Sequence, residues 1–164
     1  TIAIPARDHS LFGPTIGPIL MSLSGELRER YLNPVLAGEK FACFAQTEPD
    51  AGSDPAAMRT RAVRRGDRYV INGTKRFITH AEKADFAQVI ACTDPAKGAR
   101  GGISCFLVDM DTPGLTIAAR HPTMMGDAPC ELAFENVEVP EANRVGQALR
   151  NYWTMLLFLI RLRE

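Results

Sequence analysis

The sequence predicts a mainly β protein: an antiparallel β-barrel of short strands with α-helical segments at both ends, α+β overall. Two observations carry this. Between residues 40 and 137 the chain is a series of short, β-prone runs separated by turn residues, with no helical periodicity between them. Outside that stretch, before residue 40 and again from 147, apolar residues recur every three or four positions. Evenly spaced short strands favour closure, because a closed sheet has no unpaired edge.

At the N-terminal side, 11–23 is apolar but broken by Gly13, Pro14, Gly17 and Pro18, so helix ends there are undefined. In 25–38, Leu27, Tyr31 and Val35 recur four apart, with Leu32 and Leu36 beside them and charges opposite, which predicts an amphipathic helix. Ser24 is placed to cap it, Gly38 to end it in a left-handed turn, and Pro34 to break or kink its last turns. Strands are expected over 40–47, 58–65, 68–71, 75–79, 86–93, 103–110, 115–120 and 131–137. Gly66-Asp67 and Asn72-Gly73 have the chemistry of tight turns, whose flanking strands pair antiparallel. From 147 a helix is expected with Trp153, Leu156, Leu157 and Ile160 on one side, a face wide enough to need a partner. The division is therefore a helical segment over 1–39, a β domain over 40–146 and the start of a further helical segment over 147–164.

The 164 residues have room for one domain with parts of its neighbours. Nineteen Lys and Arg balance 19 Asp and Glu, so no long-range field draws in nucleic acid or an anionic membrane surface, and a bound phosphate has to be held locally. The longest apolar run, 155–160, is far too short to cross a bilayer, and a soluble protein is expected. Cys43, Cys92, Cys105 and Cys130 are scattered singly inside apolar runs and read as small reduced core residues. His9, His80 and His121 are isolated, and no metal site is expected.

The chemistry concentrates in two segments. In Phe44-Ala45-Gln46-Thr47-Glu48-Pro49-Asp50-Ala51-Gly52-Ser53-Asp54 a strand runs into a turn. Thr47 can donate and accept a hydrogen bond, Gly52 allows close backbone approach, and its N–H with the Ser53 hydroxyl could hold a phosphate oxygen. Taken alone, the segment is also simply good turn composition. In Ile71-Asn72-Gly73-Thr74-Lys75-Arg76-Phe77-Ile78-Thr79 strand alternation brings Phe77 and Thr79 out on one face, where the aromatic could cover a ring and the hydroxyl bond its edge; the plain alternative is a core aromatic.

In this order, Thr47-Glu48-Pro49 with Ala51-Gly52-Ser53-Asp54, Asn72-Gly73-x-Lys75-x-Phe77-Ile78-Thr79, and Phe134-Glu135-Asn136-Val137-Glu138-Val139-Pro140 resemble the successive signatures of the acyl-CoA dehydrogenase family. Asp111-Thr112-Pro113-Gly114 resembles the family's connection between two barrel strands, and Glu29-Arg30-Tyr31-Leu32 with Gly38-Glu39-Lys40 resembles the last helix of its N-terminal domain. The similarity covers about residues 10 to 146.

The resemblance implies a flavoenzyme that binds FAD and removes two hydrogens across the α and β carbons of an acyl-CoA thioester. On the same ground, Phe44, Ala45, Gln46, Thr47, Gly52 and Ser53 line the isoalloxazine and pyrophosphate, Ser53 also meets the acyl-CoA substrate, and Phe77, Ile78 and Thr79 lie along the other flavin edge. It implies an electron-transfer flavoprotein or similar acceptor, a homo-oligomer in the full-length enzyme, and a place in the cytoplasm, or the mitochondrial matrix in a eukaryote. Phe77 stands where many members have tryptophan and Phe44 where tyrosine is common, so two polar groups are lost while both aromatic platforms remain. The family's catalytic glutamate comes from a C-terminal helical domain, so no residue here is expected to be the catalytic base. The 164 residues are therefore expected to be the flavin-binding middle portion, inactive by itself; a related flavin oxidase or a non-catalytic, partner-binding barrel are the alternatives.

Overall fold

The computed structural model describes residues 16–52, 54–98, 101–124 and 126–145. It divides into two units, the β unit being Ala42–Arg144. The helix expected from 147 onward lies outside the described residues.

In the helical unit, Pro18–Met21 forms one short turn, and Gly25–Leu27, Arg28–Leu32 and Asn33–Leu36 follow one another as α, π and α segments of one helical run. The run starts after Ser24 as predicted, but Ser24 makes no side-chain cap bond. Pro34 does not break it; instead the ladder widens, with Asn33 N–H reaching the Arg28 carbonyl. Pro34 has no N–H to offer the Arg30 carbonyl, and the Lys40 ammonium reaches that oxygen at 3.4 Å. Tyr31, Leu32 and Val35 are buried, whereas Leu36 is exposed. Gly38, at φ 74°, ends the run as expected: its N–H bonds the Val35 carbonyl at 3.1 Å and Glu39 N–H the Pro34 carbonyl at 2.8 Å, the paired bonds of a Schellman turn.

The β unit contains β1 (Ala42–Ala45), β2 (Arg61–Arg65), β3 (Arg68–Ile78), β4 (Phe86–Cys92), β5 (Ile103–Asp109), β6 (Leu115–Arg120) and β7 (Cys130–Pro140). The sheet order is β6-β7-β3-β2-β4-β5, with β1 on β4. Residues from every one of these strands, among them Cys43, Ala62, Ile71, Val89, Phe106, Leu115 and Phe134, meet in one apolar cluster, so the sheet wraps a single interior. The mainly β expectation is borne out. All four cysteines are free and buried. Among the described residues no helix is long and apolar enough to cross a membrane.

Most pairings are antiparallel, as predicted, but β1 runs parallel to β4 from Ala42↔Phe86 to Ala45↔Val89, and β2 touches β4 in parallel at Arg61↔Cys92. Gly66-Asp67 is the hairpin turn it was expected to be, closed by Arg65↔Arg68. Asn72-Gly73 is not. The two strands expected around it are one strand, β3, in which a register shift against β7 falls between Ile71 and Gly73. Asn72 uses its amide to bind Asn136, accepting from the backbone N–H at 2.8 Å. Gly73 is needed for space: a Cβ there would stand 2.5 Å from Thr60 Oγ1 and 2.7 Å from Thr60 Cα.

Candidate functional site

β1 ends at Ala45, and with it the ladder to β4. Gln46 and Thr47 then lead into a tight turn that Glu48 and Ala51 close, Glu48 N–H to the Ala51 carbonyl at 2.8 Å and Ala51 N–H back at 3.3 Å. Pro49 and Asp50 form its tip, as proline's fixed φ favours. Gly52 follows, exposed, with nothing within 4 Å of where a Cβ would stand, so its backbone is open to a ligand. Ser53 lies outside the described residues.

The other segment is the end of β3. Its register against β7 shifts again between Lys75 and Ile78, Phe77 takes φ 58° and His80 φ 62°. A left-handed backbone at an aromatic residue costs on the order of 1–3 kcal/mol and persists only where surroundings impose it. The strand ends at Ile78, so Thr79 lies in a turn and not in the strand the sequence predicts. The burial alternation nevertheless holds: Phe77 is 56% exposed, Ile78 is buried and Thr79 is exposed. Phe77 is therefore no core aromatic. It stands edge-on to His121 with ring centroids 5.0 Å apart, and the Arg76 guanidinium lies 5.4 Å from its centroid.

The backbone brings the two segments together. Arg76 N–H donates to the Thr47 carbonyl at 2.8 Å. One residue back, the Lys75 ammonium donates to the Gln46 carbonyl at 2.9 Å and to Glu48 Oε1 at 2.8 Å. Glu48 also accepts the Arg59 N–H at 2.6 Å and the Thr60 N–H at 3.0 Å. Both charged side chains are buried. Burial alone would raise the Glu48 carboxyl, but the bonds from Lys75, Thr60 and Arg59 outweigh it and hold it below the ordinary value. Burial pulls Lys75 down to about 8, with the Glu48 carboxylate opposing the shift.

Of the predicted residues, Phe44 is part-exposed, Ala45 is fully buried, and Gln46 and Thr47 are half-buried at the junction. Glu48, in the turn that follows β1, is buried against Lys75. The sequence reading missed this pair. A signal existed, since Lys75 has the same strand parity as Tyr69 and Ile71, both inward-facing, and a charge at such a position demands a buried partner. It also missed Arg76, His121 and Glu131, which gather beside Phe77 with Arg76 Nε 3.1 Å and His121 Nε2 3.8 Å from Glu131 Oε2; nothing in their spacing points there.

An exposed aromatic on strained backbone faces outward, open space lies over Gly52, and the bonds that build this corner use main chain, Lys75 and Glu48, leaving the Thr47 and Thr79 hydroxyls outside them. Residues 43–137 match the family model described as acyl-CoA dehydrogenase, middle domain. The chain is 51% identical over 133 residues to cyclohex-1-ene-1-carbonyl-CoA dehydrogenase of Geobacter metallireducens, covering 79% of this chain and 34% of that protein. It is 43% identical over 149 residues to the caffeyl-CoA reductase-Etf complex subunit CarC of Acetobacterium woodii, covering 90% and 38%. The structure resembles a glutaryl-CoA dehydrogenase of Mycobacterium smegmatis solved in complex with FADH2, with a TM-score of 0.69 and 39% identity over 78% of this chain and 32% of that one. The chain thus spans about a third of the length of the proteins it matches.

Proposed function

Because this chain belongs to the acyl-CoA dehydrogenase family, we propose that it is the flavin-binding middle portion of an FAD-dependent enzyme that removes hydrogens from the α and β carbons of an acyl-CoA thioester. FAD supplies the hydride acceptor, and the protein's share is to bind and orient it. Phe44, Ala45, Gln46, Thr47, Gly52 and Ser53 take one side of the cofactor, Phe77, Ile78 and Thr79 the other. Phe77 offers a flat apolar cover. The Thr47 and Thr79 hydroxyls hydrogen-bond the polar ring edge, where a donor favours the reduced, more negative ring. Ser53 adds a contact to the acyl-CoA.

The observation that carries this is the 2.8 Å bond from Arg76 N–H to the Thr47 carbonyl, which sets the Thr47 segment beside the exposed Phe77. The acidic residues of the turn are committed elsewhere: Glu48 to Lys75, and Asp50 to Arg59 at 2.9 Å. As the family resemblance implies, the base that takes the α-proton comes from a C-terminal helical domain that 147–164 would begin, with 1–39 closing the N-terminal helical domain and 40–146 as the middle one. Electrons pass on to an electron-transfer flavoprotein, a partner that the Etf complex in the A. woodii relative's name supports, and the full-length enzyme is a homo-oligomer.

Titration of the purified protein with FAD, read by quenching of flavin fluorescence, tests the reading. Saturable binding that weakens in Phe77→Ala and Thr47→Ala is expected. Binding that neither substitution changes would remove this corner from the cofactor site, and no saturable binding would remove the flavin reading itself.

A further inference from the structure

We propose that the buried Lys75–Glu48 pair is a positioning device that clamps segment 46–48 against segment 75–79 and so fixes the spacing between the two edges of the flavin cradle. This rests on the flavin reading above. The pair sits where both ladders let go. β1 loses β4 after Ala45↔Val89, and β3 slips against β7 immediately beyond Lys75↔Leu132. Sheet pairing therefore leaves Gln46 and Thr47 beyond the β1–β4 ladder, and leaves Arg76 and Phe77 between the β3–β7 pairs Lys75↔Leu132 and Ile78↔Cys130.

Three bonds from two consecutive residues replace it. Lys75 Nζ takes the Gln46 carbonyl and Glu48 Oε1, and Arg76 N–H takes the Thr47 carbonyl, so 46, 47 and 48 are each tied to the end of β3. Glu48 is anchored in turn by the Arg59 and Thr60 N–H groups, and Thr60 is packed against Gly73 of β3 so closely that no Cβ fits between them. The result is a closed loop of contacts from β3 through the turn and back to β3. Stability alone does not account for it, because an apolar pair of similar volume is often as stable as a buried ion pair or more so. Direction and length are what an ammonium and a carboxylate add.

The test is the double substitution Lys75→Met with Glu48→Leu, which removes both charges and keeps volume. The folded variant is expected to melt somewhat lower than the unsubstituted protein, because Glu48→Leu leaves the Arg59 and Thr60 N–H groups without their acceptor, and to exchange the Arg76 amide proton about tenfold faster and bind FAD about tenfold more weakly, roughly the effect of one lost hydrogen bond. Arg76 exchange at the original rate, or faster exchange with unchanged FAD affinity, would overturn the proposal. Should the double variant not fold, Glu48→Gln, which keeps shape and loses charge, is read against the same two outcomes. If the unsubstituted protein takes up no FAD, the flavin reading has failed, and Arg76 exchange alone decides whether the clamp exists.

Discussion

The β4–β5 pair and the corner between β1 and the end of β3 are made from the same chain by opposite means. β4 is buried at all seven positions, and its register with β5 runs from Phe86↔Asp109 to Cys92↔Ile103 without a shift. Its sequence is the near-continuous apolar run that a strand covered on both faces requires. At the corner the ladder slips, an aromatic is exposed on left-handed backbone, and a lysine and a glutamate are buried together. Where every local rule agrees, the chain is serving stability; where several fail within five residues, another demand is being met.

The largest effects separate the two regions by how they can be repaired. Phe106→Ala in β5 opens a cavity in the core cluster and costs about 3–5 kcal/mol in denaturant unfolding. Lys75→Met costs a similar amount, about 3–5 kcal/mol, for a different reason: it strands the Glu48 carboxylate without its counter-ion. Adding Glu48→Leu to Lys75→Met should recover part of that loss by removing the unpaired charge, the Arg59 and Thr60 N–H groups still lacking their acceptor. If it does not, the corner is ordinary core and the contrast collapses.

The glycines sharpen the comparison. Gly73→Ala forces a Cβ onto the Thr60 backbone at φ 148° and should cost about 1–3 kcal/mol of stability. Gly52→Ala meets nothing, so stability should change by less than about 0.5 kcal/mol while FAD affinity falls. Paired thermal melts and FAD titrations of the two variants check this; equal effects of both on melting would count against an open site over Gly52.

These contrasts follow what was legible in the sequence. Strand period and turn composition are local, so 86–93 and 103–110 come out within one residue of β4 and β5, and the turn at Gly66-Asp67 is found. Asn72-Gly73 misleads because the same two residues serve a bulge and a close approach, and the Thr60 backbone that decides between these lies a dozen residues upstream. Thr47 and Phe77 are legible as residues with something to offer. Their meeting is not, since it depends on a Lys–Glu pair that no local pattern announces.

Acid also tests the corner. The Glu48 carboxyl has a lower pKa folded than its ordinary 4.5, so at acid pH the unfolded chain binds more protons and stability rises with pH. This contribution is complete above about 4.5 and is lost as pH falls through the folded value. Unfolding midpoints followed downward from pH 6 should drop for the unsubstituted protein and drop less steeply for the Lys75→Met, Glu48→Leu variant. Parallel profiles would mean that Glu48 gains nothing from its partners.

The smallest stability effect is the most telling about purpose. Phe77→Gly removes the strain of φ 58° and also removes an aromatic that is mostly exposed, standing edge-on to His121 with the Arg76 guanidinium over its ring. Relief and loss are both on the order of 1 kcal/mol, so the melting temperature should scarcely move. A ring that stacks on a flavin is worth about tenfold in its affinity, and that affinity should fall. Retained stability with lost FAD binding assigns the strained phenylalanine to the ligand. Lost stability with unchanged binding would return it to the scaffold, and the corner would then differ from the β4–β5 pair only in its packing.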